Sequence, residues 1–278
     1  MRPDGRRVKN MEAMYYLIPQ FLPHRYDAMN MVTLDIPVEP MKKYMNEKRK
    51  EGVQISHLAL MIAAYLRTAA EFPCLNRFVG NKKIYAHKDF TVSMVVLRPG
   101  TDEDTMSKVY LDYTDTIFDV QNKMNTYINE NRRDDNANSL DKAMNVLKHM
   151  PGILDFVMAI LRFMDRHGLL PMSLVKASPF HASLLISNLA SIRTNHIYHH
   201  VYEFGTTSVA ITMGNMREVP RRCRGEIVYD RCIPLGVVMD ERICSGHYFA
   251  QAFSRVKEYL SNPELLEEPP RFEIVPDR

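Results

Sequence analysis

Cysteine is scarce and scattered in this sequence. The four cysteines (Cys74, Cys223, Cys232 and Cys244) form no CxxC pair and have no histidine at zinc-ligand spacing, so neither a disulfide framework nor a metal site is expected. Long apolar runs are missing too. The nearest, GILDFVMAILRFM from Gly152 to Met164, falls short of the roughly 18 uninterrupted apolar residues of a membrane span and carries Asp155 and Arg162. The opening MRPDGRRVKN lacks the apolar core and small-residue cleavage site of a signal peptide, which leads to an expectation of cytoplasmic residence with reduced thiols. Charge of one sign is equally sparse. The formal net charge is +3, with Lys and Arg interspersed among Asp and Glu, and nucleic acid is not expected as the main partner.

What is present is ample material for a core, 46% hydrophobic residues against 25% charged. No internal repeat and no Gly/Ser linker divides the chain, so residues 1–278 are read as a single domain. Val32 to Val38 nearly alternates apolar and polar residues, as a half-buried strand does, with Pro37 near its end. Pro40 to Glu51 reads as an exposed, charged helix. Ile55 to Glu71 is apolar on most faces, with Ser56 placed to cap it and Pro73 beyond its end, which predicts a buried helix.

Lys83 to Ala86 and Phe90 to Leu97 are rich in β-branched and aromatic residues and read as a strand pair joined as a hairpin. Val109 to Tyr113 is a further strand, Phe118 to Asn131 a helix, and Leu140 to His167 a helical region interrupted near Pro151. In the last third, Ser183 to Ser187, Ser208 to Gly214, Glu226 to Arg231 and Ile233 to Asp240 are strand-like, and an amphipathic helix from Tyr248 to Leu260 closes the chain. The sum is α+β with a mixed sheet.

Three segments, in order, carry a resemblance. Ser56 to Val96 contains a buried helix, an FPCLN corner and the following strands; Ile186 to Ile192 reads ISNLASI; Met239 to Phe253 reads MDERICSGHYFAQAF. These resemble the catalytic domain of the dihydrolipoyl acyltransferases of 2-oxoacid dehydrogenase complexes and, more distantly, chloramphenicol acetyltransferase, whose corresponding motifs are FPxLN, SNLGxxG and DHRxxDG. In its last motif the sequence resembles stand-alone bacterial relatives that have DER in place of DHR. The resemblance implies a chloramphenicol acetyltransferase-like fold, with helices on one side of the sheet and a homotrimer whose active-site channel lies between subunits. It also implies coenzyme A, as an acyl-CoA substrate, and a small-molecule acyl acceptor. The sequence shows no Ala/Pro-rich linker or subunit-binding segment, so no covalent lipoyl group and no lipoyl or subunit-binding domain are expected. Membrane contact is not expected.

Carried over by position, Glu241 stands where the family has its general base, Ser245 where it has Asp, and Ser187 where a hydroxyl stabilises the tetrahedral intermediate. Asn188, Ser245 and His247 are the implied substrate-binding neighbours. Two family glycines are Ala190 and Arg193, which predicts an altered loop path. Histidine at about pKa 6.5 is only about two units below a thiol, whereas glutamate at about 4.3 is about four below, a difference of roughly 3 kcal/mol in proton removal. A carboxylate taken into an apolar channel recovers much of that deficit. Two readings follow, a working acyltransferase or a trimeric binding or scaffold protein that kept the fold and lost the base.

Three further features have both a functional and a plainer reading. His196, His199 and His200 would share a face if the segment were helical, though surface loops are the commoner setting for histidines. Asp141-Lys142-Ala143 imitates a lipoyl-attachment sequence without its strand pair. The apolar excess of Gly152 to Met164 suits subunit or core packing, with an acyl-chain lining or membrane-surface contact as the alternative.

Overall fold

The computed structural model describes residues 2–97, 104–131, 151–275 and 277. Ten strands and seven helices are assigned there. The strands are β1 (Gly5–Arg7), β2 (Met29–Pro37), β3 (Arg77–Gly80), β4 (Lys83–His87), β5 (Phe90–Leu97), β6 (Asp104–Leu111), β7 (Leu184–Asn188), β8 (Val209–Met213), β9 (Arg217–Cys223) and β10 (Glu226–Asp240). The helices are α1 (Ala13–Phe21), α2 (Glu39–Lys50), α3 (His57–Glu71), α4 (Ile117–Asn131), α5 (Pro151–His167), α6 (Met172–Ala177) and α7 (Gly246–Ser261). Asp141-Lys142-Ala143 lies outside the described residues.

The mixed sheet has seven strands in the order β2-β10-β8-β7-β5-β6, with β9 pairing the first half of β10. The β5–β7 and β7–β8 pairs are parallel and the others antiparallel. A separate three-stranded sheet runs β1-β4-β3. This corrects the expected hairpin: β4 pairs β1 and β3, while β5 pairs β6 and β7. Both segments have strand composition, but composition does not choose a partner, and β4 makes its hairpin with β3 on its other side. The two expected strands Glu226 to Arg231 and Ile233 to Asp240 are one continuous strand.

The core lies between the sheet and α3, α4 and α7. Every residue of α3 from Ala59 to Ala70 is buried, as its apolar circumference requires. Ser56 Oγ accepts the Ala59 N–H at 3.1 Å, a cap that contributes about 1 kcal/mol. Along β10, Ile233, Leu235, Val237 and Met239 join this core, whereas Val238 belongs to a smaller cluster with Leu185, Val201 and Ala210. The alternation of a strand puts that cluster on the opposite face. The irregular segment 195–202 lies against this face, and two glycines let it approach. A Cβ on Gly214 would sit 2.2 Å from His196 N, and one on Gly236 2.2 Å from Ile197 O.

The small sheet is tied to α5 by a buried ionic knot. Arg2 donates to Asp4 at 2.9 Å and to Asp165 at 2.7 Å, and Asp165 also accepts the Gly205 N–H at 2.8 Å. Burial alone would raise the Asp165 carboxyl, but His181, Arg2 and the Gly205 N–H together hold it well below the usual carboxylate range.

His87 sits beside the Phe78 ring, with Nε2 3.3 Å from the Thr206 carbonyl. Burial pushes its imidazole down to about 3 from the ordinary 6.5, against the opposing pull of Asp4. Between those two values the unfolded chain binds a proton that the folded chain refuses, so stability is lost as pH falls through that window. The loss is on the order of 3 kcal/mol by about pH 4.5. Urea denaturation at neutral and acidic pH should show a shallower pH dependence for His87→Gln than for the native chain. Identical slopes would mean that His87 does not carry the effect.

Candidate active site

β10 ends in Asp240, and the next two residues complete the DER motif. The chain turns directly after the strand, and in that turn Arg242 folds back onto Asp240 while Glu241 is turned elsewhere. Asp240 is fully buried. Arg242 grips it with Nε at 2.8 Å and Nη2 at 2.7 Å, and the Arg242 backbone N–H adds a third contact at 3.1 Å. Arg25 brings a second guanidinium, its Nε 3.5 Å from Asp240 Oδ2, and burial lowers the pKa of this arginine. Arg242 Nη1 also donates to the Leu22 carbonyl at 3.1 Å. The loop after β10 is thus clamped on both sides of Glu241.

Glu241 is half-buried. Its backbone N–H donates to Ala28 O at 2.9 Å, and its carboxylate accepts from Asn30 Nδ2 of β2 at 2.6 Å. The position therefore presents an oriented carboxylate at the edge of the sheet, with part of it open.

Ser245 has a definite structural role. Its Oγ accepts the Tyr248 N–H at 3.2 Å as the N-cap of α7, and its own N–H donates to Tyr15 Oη at 3.0 Å. An Asp would cap the helix in the same way. The ionic contacts of the neighbouring loop come instead from Asp240, Arg242 and Arg25. His247 is exposed on the first turn of α7.

Ser187 lies near the end of β7, half-buried, and its hydroxyl has no hydrogen-bond partner among the described residues. Asn188 precedes a short 3-10 turn, Leu189–Ile192, and its carbonyl accepts from Ser191 Oγ at 2.6 Å. Arg193 then adopts the left-handed conformation with φ 57 and ψ 35. That is the geometry for which glycine is the usual residue, so the turn is made here with Arg193 in left-handed geometry at a cost of about 1–2 kcal/mol. Ala190 is not among the residues with positive φ and needs no such allowance.

The sheet register separates the two principal candidates. Ser187 is level with Thr212 of β8, and Thr212 with Gly236 of β10. Glu241 lies five residues further along β10 and two strands over, which by strand dimensions is about 17 Å along and about 10 Å across. Within one chain Ser187 and Glu241 do not meet.

The histidine-rich segment is not helical, so His196, His199 and His200 do not share a helical face. His196 Nε2 instead lies 3.1 Å from Thr33 Oγ1, and His199 Nδ1 2.8 Å from its neighbour's carbonyl. No metal-binding group of three is present among the described residues.

Asp240, Arg242, Arg25 and Asn30 were not singled out from the sequence. For the first two a signal existed, a carboxylate and a guanidinium two residues apart where a strand runs into a turn. For Arg25 and Asn30 none did, because their partners are over two hundred residues away.

Residues 181–267, which include Ser187, Glu241 and Ser245, match the family described as 2-oxoacid dehydrogenases acyltransferase (catalytic domain). Among curated proteins no relative matches. The fold recurs in the probable dihydrolipoamide acetyltransferase of Listeria monocytogenes, with a TM-score of 0.59 at 12% identity, covering 97% of this chain and 99% of that one. It recurs in the dihydrolipoamide acetyltransferase of Azotobacter vinelandii, with a TM-score of 0.60 at 12% identity, covering 91% of this chain and 88% of that one. That structure concerns the catalytic roles of a serine, a histidine and an asparagine in its own enzyme. A chloramphenicol acetyltransferase is similar as well, with a TM-score of 0.55 at 11% identity over 92% of this chain and 99% of that one. The resemblance read from the three motifs therefore holds at the level of the fold, and the acyltransferase match falls on the segment that carries both candidate residues.

Proposed function

We propose, from the fold shared with those acetyltransferases, that this protein is a CoA-dependent acyltransferase working as a homotrimer, with each site built from Glu241 of one subunit and Ser187 of the next. The observation that carries the reading is the separation of these residues within one chain, together with the ionic clamp that orients Glu241. A site that needs both requires a second copy.

In the proposed reaction the Glu241 carboxylate takes the proton of the acceptor nucleophile as it attacks the thioester carbonyl of acyl-CoA. The oxyanion that forms receives a hydrogen bond from the Ser187 hydroxyl, which no described residue occupies. Collapse breaks the C–S bond, and the CoA thiolate leaves with the proton returned by Glu241. Arg193, exposed at the Ser187 end of the sheet, is a cation available there to the phosphates of the acyl-CoA. Closure of a neighbouring subunit over the half-open carboxylate would remove water from it and raise its basicity, offsetting the roughly 3 kcal/mol by which glutamate trails histidine.

The test is release of free thiol from a panel of acyl-CoAs, with light scattering on the same sample. A trimer that releases thiol, and whose Glu241→Gln variant is slower by roughly 10²–10⁴-fold, is the expected result. A monodisperse monomer, or a panel inert with both the native chain and Glu241→His, would sink the proposal and leave the binding or scaffold reading.

A further inference from the structure

The end of the sheet that holds the DER motif also borders a cavity of about 490 Å³, within the range of small-ligand sites. Its wall contains three guanidiniums already engaged with protein groups: Arg2 with Asp4 and Asp165, Arg242 with Asp240, and Arg25 with the Tyr202 and Gly205 carbonyls. Arg25 is 2% exposed, yet its Nε has no hydrogen-bond partner among the described residues. Glycines make room for this wall. A Cβ on Gly80 would sit 2.9 Å from Arg2 Nη1, and one on Gly168 2.4 Å from Arg2 Cγ.

Three more cations line the cavity, Lys82, Arg162 and Arg166, all exposed and without an ion-pair partner among the described residues. Arg162 and Arg166 are four apart on α5, where like charges repel. Lys82 holds φ 60 beside Asn81 at φ 46, in a two-residue hairpin turn whose second position ordinarily falls to glycine. Against these six cations stand Asp165 and Glu203 on the wall, and Asp4 and Asp240 behind it. The balance is positive by two charges. Tyr202 and Phe204 add aromatic surface to the same cavity.

We propose that this cavity binds a small phosphate monoester, its dianion held by Lys82, Arg162 and Arg166 and its organic group against Tyr202 and Phe204. Guanidinium forks match the oxygens of a phosphate, two uncompensated charges match a dianion, and the volume leaves room for more than the phosphate itself. This goes beyond the acyl-transfer reading and stands or falls separately, because binding is measured without turnover.

Isothermal titration calorimetry of the intact protein with phenyl phosphate, inorganic phosphate and benzoate tests it. Phenyl phosphate should bind at least about tenfold more tightly than either control, and Lys82→Gly and Arg162→Gln should each weaken it by about tenfold, the value of one charge-assisted contact. Lys82→Gly relieves the turn and Arg162 has no partner, so both variants should fold. No heat from phenyl phosphate at about 10 mM, a millimolar-or-weaker ceiling for a real site, would overturn the proposal. So would binding undiminished in both variants, or inorganic phosphate binding as tightly as the ester. Displacement by CoA but not by dephospho-CoA would assign the cavity to CoA and overturn a separate site.

Discussion

Co-expression of Ser187→Ala with Glu241→Gln should restore acyl transfer that neither variant supports alone. Each variant on its own is expected to lose roughly 10²-fold or more, one through the oxyanion donor and the other through the base. The sheet register puts the two positions toward opposite ends of the same sheet, so a shared site pairs Ser187 of one subunit with Glu241 of its neighbour. In a cyclic trimer assembled at random from the two variants, about three quarters of molecules are hybrids. Each hybrid contains about one intact site in three, which returns about one quarter of native activity. Mixed trimers that stay as inactive as their parents, despite confirmed hybrid assembly, would place the two residues in different sites.

The second large effect concerns stability. Asp240 has no exposed surface and faces two guanidiniums, so Asp240→Ala leaves buried charge without a partner and should cost about 3–5 kcal/mol. Set against a typical total of about 5–15 kcal/mol, that loss brings the chain close to unfolding. The control is the ion pair of Arg217 with Asp35 at 2.9 Å, whose guanidinium is 47% exposed. Asp35→Ala should cost no more than about 1 kcal/mol, because water already solvates both partners. Urea denaturation of the two variants gives the comparison directly. Equal midpoints would show that the Asp240 cluster does not hold the loop that carries Glu241.

How much of this was legible beforehand differs by element. The buried helix α3 was, because apolar residues on all sides leave it no solvent face, and Ser56 marks its start. So was the closing helix, which the structure begins at Gly246, two residues ahead of the expected Tyr248. The expected strands put Glu241 just past the end of one and Ser187 at the end of another, and the structure has Glu241 directly after β10 and Ser187 one residue before the end of β7. The short helix α1 and strand β9 were not anticipated, the first because Pro19 lies within it and the second because REVPRRC is mostly exposed and shows no buried face.

Local periodicity therefore determined which segments became helix or strand, since a residue's burial follows from its neighbours three, four or two positions away. The tertiary structure alone decided which strands pair, and the hairpin expected of β4 and β5 is divided between two sheets for that reason. It also decided what each motif residue does. Asp240 finds Arg25 from a loop near the other end of the sequence, Ser245 turns out to cap a helix, and Arg193 keeps a turn that glycine would make more easily. Such pairings depend on sheet register and on which loops the fold brings into reach, and neither is encoded in the spacing of residues along one segment.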